Sequence, residues 1–214
     1  MNSTGVKLNA QELRNAEWFG RFKTTAYQIA TEQLNRWRDW EVFTPDQIAR
    51  MNEVELTSEF MALILNGVLA KQNKTLDAFY DKYDDTFKAG PELSRRYRAT
   101  FDVIESLISG KVVAELFSTR TMFFALFATI YGIQFGLQKL RPLTTKTVLR
   151  PKKRAKSIPV AVIARIVRHG QKISDNDIPE SILKAIRGAT TDATQRIALI
   201  DYLAGDDSPC QHLN

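Results

Sequence analysis

The run MFFALFATIYGIQFGL, residues 122–137 between Arg120 and Lys139, is apolar on every side of a helix and has to be enclosed by something. At 16 residues it falls short of the ~20 that span a bilayer, and it carries Thr129, Tyr131 and Gln134. A buried helix with other helices wrapped around it is the favoured reading, and membrane association through this run the weakest alternative. Ala125, Ala128, Gly132 and Gly136 recur at spacings of three and four, which lets a neighbouring helix approach closely.

The rest of the chain follows the same period, and strand signals are scarce. A capping box of Asn9 and Glu12 predicts a first helix from Ala10, with Leu13, Ala16, Phe19, Phe22, Ala26, Ile29 and Ala30 on one apolar face. Gly20 weakens this helix without breaking it. Trp37, Trp40 and Phe43 lead into a second capping signal, in which Thr44 caps, Pro45 takes the first helical position and Gln47 completes the box. The segment from Met51 is apolar at Val54, Phe60, Met61, Ile64 and Leu65 and ends at Asn66 and Gly67. TLDAFYDKYDDTF reads as a further helix, and GPELSRRYRATFDVIESLISG as another, opened by Pro91 and closed by Gly110. Three short amphipathic helices follow, at residues 159–168, 179–187 and about 193–203. The expected fold is all-α: a multi-helix bundle over residues 1–140, a basic linker over 141–157, a smaller C-terminal helical unit over 158–206 and a tail over 207–214.

The formal net charge is +6, and it is concentrated in one place. RPLTTKTVLRPKKRAK carries Arg141, Lys146, Arg150, Lys152, Lys153, Arg154 and Lys156 with no acid, and without these seven the excess is gone. Arg150, Lys152, Lys153, Arg154 and Lys156 are therefore candidate nucleic-acid contacts, although a solvated linker accounts for the same run.

The usual catalytic signatures are missing. Cys210 is the one cysteine and lies in a polar tail, which excludes an intrachain disulfide and a cysteine-based zinc cluster. No basic segment leads into an apolar run and cleavage site at the start, so a reducing cytoplasm is the expected compartment. His169 and His212 stand apart and form no H-E-x-x-H pair. RIVRHG invites comparison with helical ribonucleases that pair an Arg and a His on one helix, but Arg165 and His169 are one residue too close. A helix-terminal imidazolium is the plainer reading. Asp81, Asp84 and Asp85 suit a polar helix face better than a cation site. Neither G-x-x-x-x-G-K-[ST] nor a strand followed by G-x-G-x-x-G occurs, so nucleotide hydrolysis by this chain alone has no visible machinery. No catalytic residue, metal or cofactor is assigned to it.

The segment NSTGVKLNAQELRNA remains. Capping accounts for Asn9 and Glu12 at about a kcal/mol, but not for Asn2, Gly5, Arg14 and Asn15 around them. A Gly turn before a helix N-terminus also suits an anion such as phosphate. With Asn2, Gly5, Leu8, Glu12, Arg14, Asn15 and Ala16, the segment resembles R-x-N-s-x-G-v-x-L-x-x-x-E-x-R-n-A in the N-terminal domain family of GmrSD-type restriction endonucleases. RMNEVELTSEFMALI and LDAFYDKYDDTF are similar to the helical region that follows in that family. The likeness covers residues 2–87 and, more loosely, those up to 140. It implies an upstream ParB/sulfiredoxin-like half bearing an Asp-Gly-Gln-Gln-Arg type motif, where nucleotide binding and hydrolysis reside. That motif is not in this chain, and Met1 then reads as an internal methionine of a longer domain. Nor do two isolated histidines supply the HNH nuclease unit of DNA-cleaving relatives.

The resemblance thus implies a non-catalytic helical module of a restriction-like, phage-defence protein, completing or regulating a ParB-like nucleotide-binding half. Asn2, Gly5, Glu12, Arg14 and Asn15 face that half, with the Arg14 fork on a phosphate or a cross-domain carboxylate. The implied partners are the ParB-like half or a companion protein, and DNA through the basic linker, with no membrane. Any nucleotide belongs to the other half. The alternative is an independent basic helical nucleic-acid-binding protein.

Overall fold

The computed structural model describes residues 7–138, 149, 157–187 and 192–210. Twelve α-helices, one 3₁₀ turn and no strand are present among them, an all-α fold. They are α1 (Ala10–Glu17), α2 (Arg21–Thr31), α3 (Leu34–Asp39), α4 (Pro45–Ala49), α5 (Asn52–Asn66), α6 (Asn73–Lys82), α7 (Gly90–Leu107), α8 (Gly110–Phe117), α9 (Arg120–Phe135), α10 (Val160–Ser174), α11 (Glu180–Arg187) and α12 (Ala193–Ala204).

α9 is the axis around which the other helices pack. It holds the apolar run, and thirteen of its residues are buried, on all sides. Thr119 caps its start, and Gly136, at φ 81°, ends it in a conformation costly for other residues. α5 is the second buried helix and ends at Gly67 with φ 85°. Between them aromatic rings interlock: Phe60 stacks on Phe127 with centroids 3.9 Å apart, and Trp37, Phe101 and Phe123 meet edge to face at 5.1 and 5.3 Å. No helix among the described residues is long and apolar enough to cross a membrane.

The C-terminal helices join this core. α12 lies along α9 and α10 against α8, and Ile166, Leu199, Ile200 and Leu203 belong to the same buried cluster as the bundle. The small residues of α9 permit this: a Cβ at Gly132 would stand 2.5 Å from Pro209 Cβ. Pro209 therefore seats where a larger residue would hold it off. Cys210, assigned to a polar tail by the sequence, is buried beside it. Burial and the nearby Asp201 push its thiol well above the ordinary range, which makes it a poor nucleophile. Of the linker residues 141–157, only Leu149 and Ser157 are described, and Leu149 is buried in the core.

Two sequence expectations need correcting. The first helix does break: α1 stops at Glu17, and Gly20 caps a separate α2. There the Arg21 and Phe22 amides donate to the carbonyls of Asp84 (2.7 Å) and Tyr83 (3.2 Å). A Cβ on Gly20 would collide with Asp84, so a tertiary contact sets the boundary. Gly110 likewise does not close α7, which ends at Leu107 with Ile108 as its cap; it opens α8, capped by Ser109.

Glu53 is the one acid in the second buried helix with no countercharge among the described residues. It is 7% exposed, and Oε2 has no hydrogen-bond partner among them. Burial pushes its carboxyl up to about 7. The folded protein therefore holds this proton more tightly than the unfolded chain does. Its contribution is fully present below the unfolded value near 4.5 and is lost as pH rises through about 7. Wild-type stability is expected to lose about 2 kcal/mol from this group between about pH 5 and 8. Glu53→Gln should remove that loss, and urea midpoints of the two proteins across this range check it.

Candidate functional site

α1 is built inside out. Its polar residues Gln11 and Arg14 are 2% and 1% exposed, whereas Leu13 is 52% exposed and Ala16 is also open. Leu8 (53%) and Phe19 (75%), just outside its two ends, are as open. An amphipathic helix normally turns its apolar stripe to the core; here the inward stripe is polar.

Arg14 explains the inversion. Nε donates to Asp77 Oδ1 at 2.7 Å, Nη2 to Asn73 Oδ1 at 3.0 Å and Nη1 to Gln11 Oε1 at 3.4 Å, with Glu55 Oε1 3.6 Å from Nη1. Asn73 and Asp77 are four apart on α6, so one helical face offers two acceptors to one planar fork. Gln11, three residues before Arg14, donates to the Tyr80 hydroxyl (2.9 Å), which also meets the Ser58 hydroxyl (2.9 Å). These bonds satisfy the buried polar groups and dock α1 on α5 and α6.

The other predicted residues divide. Glu12 is a cap: it accepts from the Asn9 amide at 2.5 Å, and Asn9 Oδ1 accepts from the Glu12 amide at 2.8 Å. The hydrogen bond from Arg50 at 3.1 Å holds the Glu12 carboxyl below its ordinary value. Asn15 is half-buried, and its carbonyl accepts from Lys23 Nζ at 2.7 Å. Asn2 and Gly5, and Arg150, Lys152, Lys153, Arg154 and Lys156, lie outside the described residues. The carboxylates on Arg14 are Asp77 and Glu55 of this same chain.

His169 is also occupied. Nδ1 donates to the Tyr202 carbonyl at 2.6 Å, and the ring stacks on Tyr202 at 4.9 Å. Arg165 reaches Asp207 at 3.0 Å. Both side chains fasten α10 to the end of α12. No group of metal-ligating side chains occurs among the described residues.

A second charged site has no counterpart in the sequence reading. Glu55 and Glu59, one turn apart on the apolar α5, point at α9 and α12. Arg120 bridges them, with Nη1 2.6 Å from Glu55 Oε2 and Nη2 2.5 Å from Glu59 Oε1. Arg196 holds the other Glu59 oxygen at 2.5 Å, donates to the Leu69 carbonyl at 3.2 Å, and lies over the Phe124 ring at 4.0 Å. Lys71 Nζ stands 3.9 Å from Glu55 and 3.8 Å from Glu59. Burial opposes charge on Glu59, yet Arg196, Arg120 and Lys71 outweigh it and hold the carboxyl below its ordinary value. Two acids a turn apart in an apolar helix were the available signal, since such groups are buried only when paired.

Protein families, curated proteins and solved structures were all compared with the chain, and none matches it.

Removing Arg14 takes one of its cations from Glu55, which keeps Arg120, and leaves the buried side of α1 and the acceptors Asn73 and Asp77 without their donor. Arg14→Ala is expected to destabilise by about 3 kcal/mol, and Arg14→Lys to recover less than half, because an ammonium cannot fork. Chemical denaturation of the three proteins at neutral pH checks the order.

Proposed function

We infer that the chain is a non-catalytic helical module of a restriction-like, phage-defence system, which docks onto a ParB-like nucleotide-binding half and completes or regulates it. The observation that carries this reading is the inverted α1. Its buried bonds fix Gln11 and Arg14 inward, so Leu13 stands outward, and Leu8 and Phe19 beyond the two ends of the helix are exposed as well. Exposed large apolar residues of this kind suit a protein partner. The resemblance of residues 2–87 to the GmrSD N-terminal family supplies the partner's kind, because in that family the matched turn and helix follow the ParB-like half.

In this reading Arg14 positions the docking face from behind and does not meet the partner's phosphate directly. Asn2, Gly5, Glu12 and Asn15 are the further candidates for the contact with that half, and the cations Arg150, Lys152, Lys153, Arg154 and Lys156 are the candidates for nucleic acid. The nucleotide and the reacting groups belong to the ParB-like half.

The independent nucleic-acid-binding alternative rests on the acid-free run at 141–156, and salt separates the two. Docking through apolar contacts changes little between about 50 and 200 mM salt, whereas binding through five to seven phosphate contacts falls by orders of magnitude. The direct test is co-purification with a strand-rich polypeptide carrying the Asp-Gly-Gln-Gln-Arg motif and encoded beside this chain. Leu13→Glu and Phe19→Glu should each abolish pairing and leave the melting temperature unchanged, as both side chains are open to solvent. Pairing that survives both changes contradicts the reading.

A further inference from the structure

The ion cluster on α5 borders a cavity of about 50 Å³, several times the ~10–15 Å³ that one water needs. Glu59, Lys71, Arg120 and Arg196 line it on the polar side, and Phe124 and Leu199 on the apolar side. The charges do not balance. Three cations face the two carboxylates Glu55 and Glu59, and the fourth cation that reaches Glu55, Arg14, already has Asp77. Lys71 is the surplus: its ammonium stands 3.8 and 3.9 Å from the two acids, too far for a good hydrogen bond to either. A network that existed only to neutralise Glu59 would not need it.

The backbone favours the same sign. Arg120 and Thr121 are in the first turn of α9, and Gln195 and Arg196 in the first turn of α12, so two helix starts meet at one cavity. The α12 start is capped by the Asp192 carboxylate, which accepts from the Thr194 amide at 2.7 Å, whereas the α9 start is capped by the neutral Thr119 and has no acid in its first turn. The positive end of the α9 dipole therefore adds to the three side-chain cations.

Two unsatisfied atoms narrow the ligand. Arg120 Nε, a donor, and Gln195 Oε1, an acceptor, are both buried without a hydrogen-bond partner among the described residues. Both residues line this cavity. Buried polar groups left unpaired are costly, so a ligand that accepts from one and donates to the other is favoured twice. A carboxylate or sulfate brings acceptors only. A singly protonated phosphate brings both.

We propose that this cavity binds a small phosphate-type oxyanion that keeps at least one hydroxyl, either hydrogen phosphate or the head of a phosphomonoester. Lys71 and the start of α9 attract the anion, Arg120 Nε donates to a phosphoryl oxygen, and Gln195 accepts from the phosphate hydroxyl. Burial, followed by the nearby Arg120 charge, pushes the Lys71 ammonium below its ordinary range. An arriving anion relieves that repulsion. The site is separate from the outer face of α1 and does not depend on docking there.

Titration calorimetry of the full chain in phosphate-free buffer near pH 6.5, at fixed ionic strength, tests this with sodium phosphate, glycerol phosphate and sodium sulfate. Phosphate should bind saturably with one site per chain and at least tenfold more tightly than sulfate. Glycerol phosphate at matching strength assigns the site to phosphomonoesters, and weaker binding assigns it to the free ion. Lys71→Met should weaken phosphate at least tenfold, and Gln195→Leu should bring phosphate down to the level of sulfate. Circular dichroism confirms that each variant is folded; if neither is, the phosphate–sulfate comparison on the wild type decides. No saturable phosphate binding, or equal binding of sulfate and phosphate, overturns the proposal.

Discussion

Two glutamates on an otherwise apolar helix are the constraint on which the rest of this fold depends. Glu55 and Glu59 sit where α5 is enclosed, at 9% and 5% exposure, and an ionised carboxylate is tolerated there only with partners. The partners come from every direction. Read across space, Asp77, Arg14, Glu55, Arg120, Glu59 and Arg196 alternate in sign along a chain of contacts between 2.5 and 3.6 Å. That chain joins α6, α1, α5, α9 and α12, so elements nearly two hundred residues apart are held on one helix. Hydrophobic burial supplies most of the stability of such a bundle, and the charges select which helices meet and in what register.

The same constraint accounts for what the surface offers. Because Arg14 has to reach Glu55 and Asp77, α1 cannot rotate to hide Leu13, and its apolar stripe stays outward. An interior electrostatic demand thereby leaves an apolar side chain exposed outside. At the other end of the chain of charges, the surplus cation Lys71 and the start of α9 leave a cavity with a net positive character. Both features follow from where the α5 acids were placed.

Local signals were legible in the sequence. The apolar run became α9, both capping boxes formed as their residues implied, and Gly67 ended α5 through positive φ. Signals that depend on a partner far along the chain were not. Gly20 interrupts a good helical pattern only because Asp84 approaches it, and Gly110 opens α8 where a C-terminal glycine was expected. The α1 periodicity was read with Leu13 inward, and it is the acceptors on α6, some sixty residues away, that turn Arg14 inward in its place. Arg14 and Glu12 were expected to face a missing half, and the bonds seen on them lie within this chain. The Glu59 cluster draws on residues 55, 59, 71, 120 and 196, a spacing with no periodicity for a sequence reading to find.

Native-state hydrogen exchange of Glu59→Gln, compared with the wild type at neutral pH, tests the central claim most directly. Neutralising Glu59 leaves Arg120, Arg196 and Lys71 facing one another, so the amides of α9's first turn and of α12 should lose at least tenfold protection, about 1.4 kcal/mol. The aromatic-packed amides of α7 should change far less. Protection that is unchanged, or that falls equally in α7 and α12, would mean that apolar packing alone sets the arrangement and that the alternating charges are incidental to it.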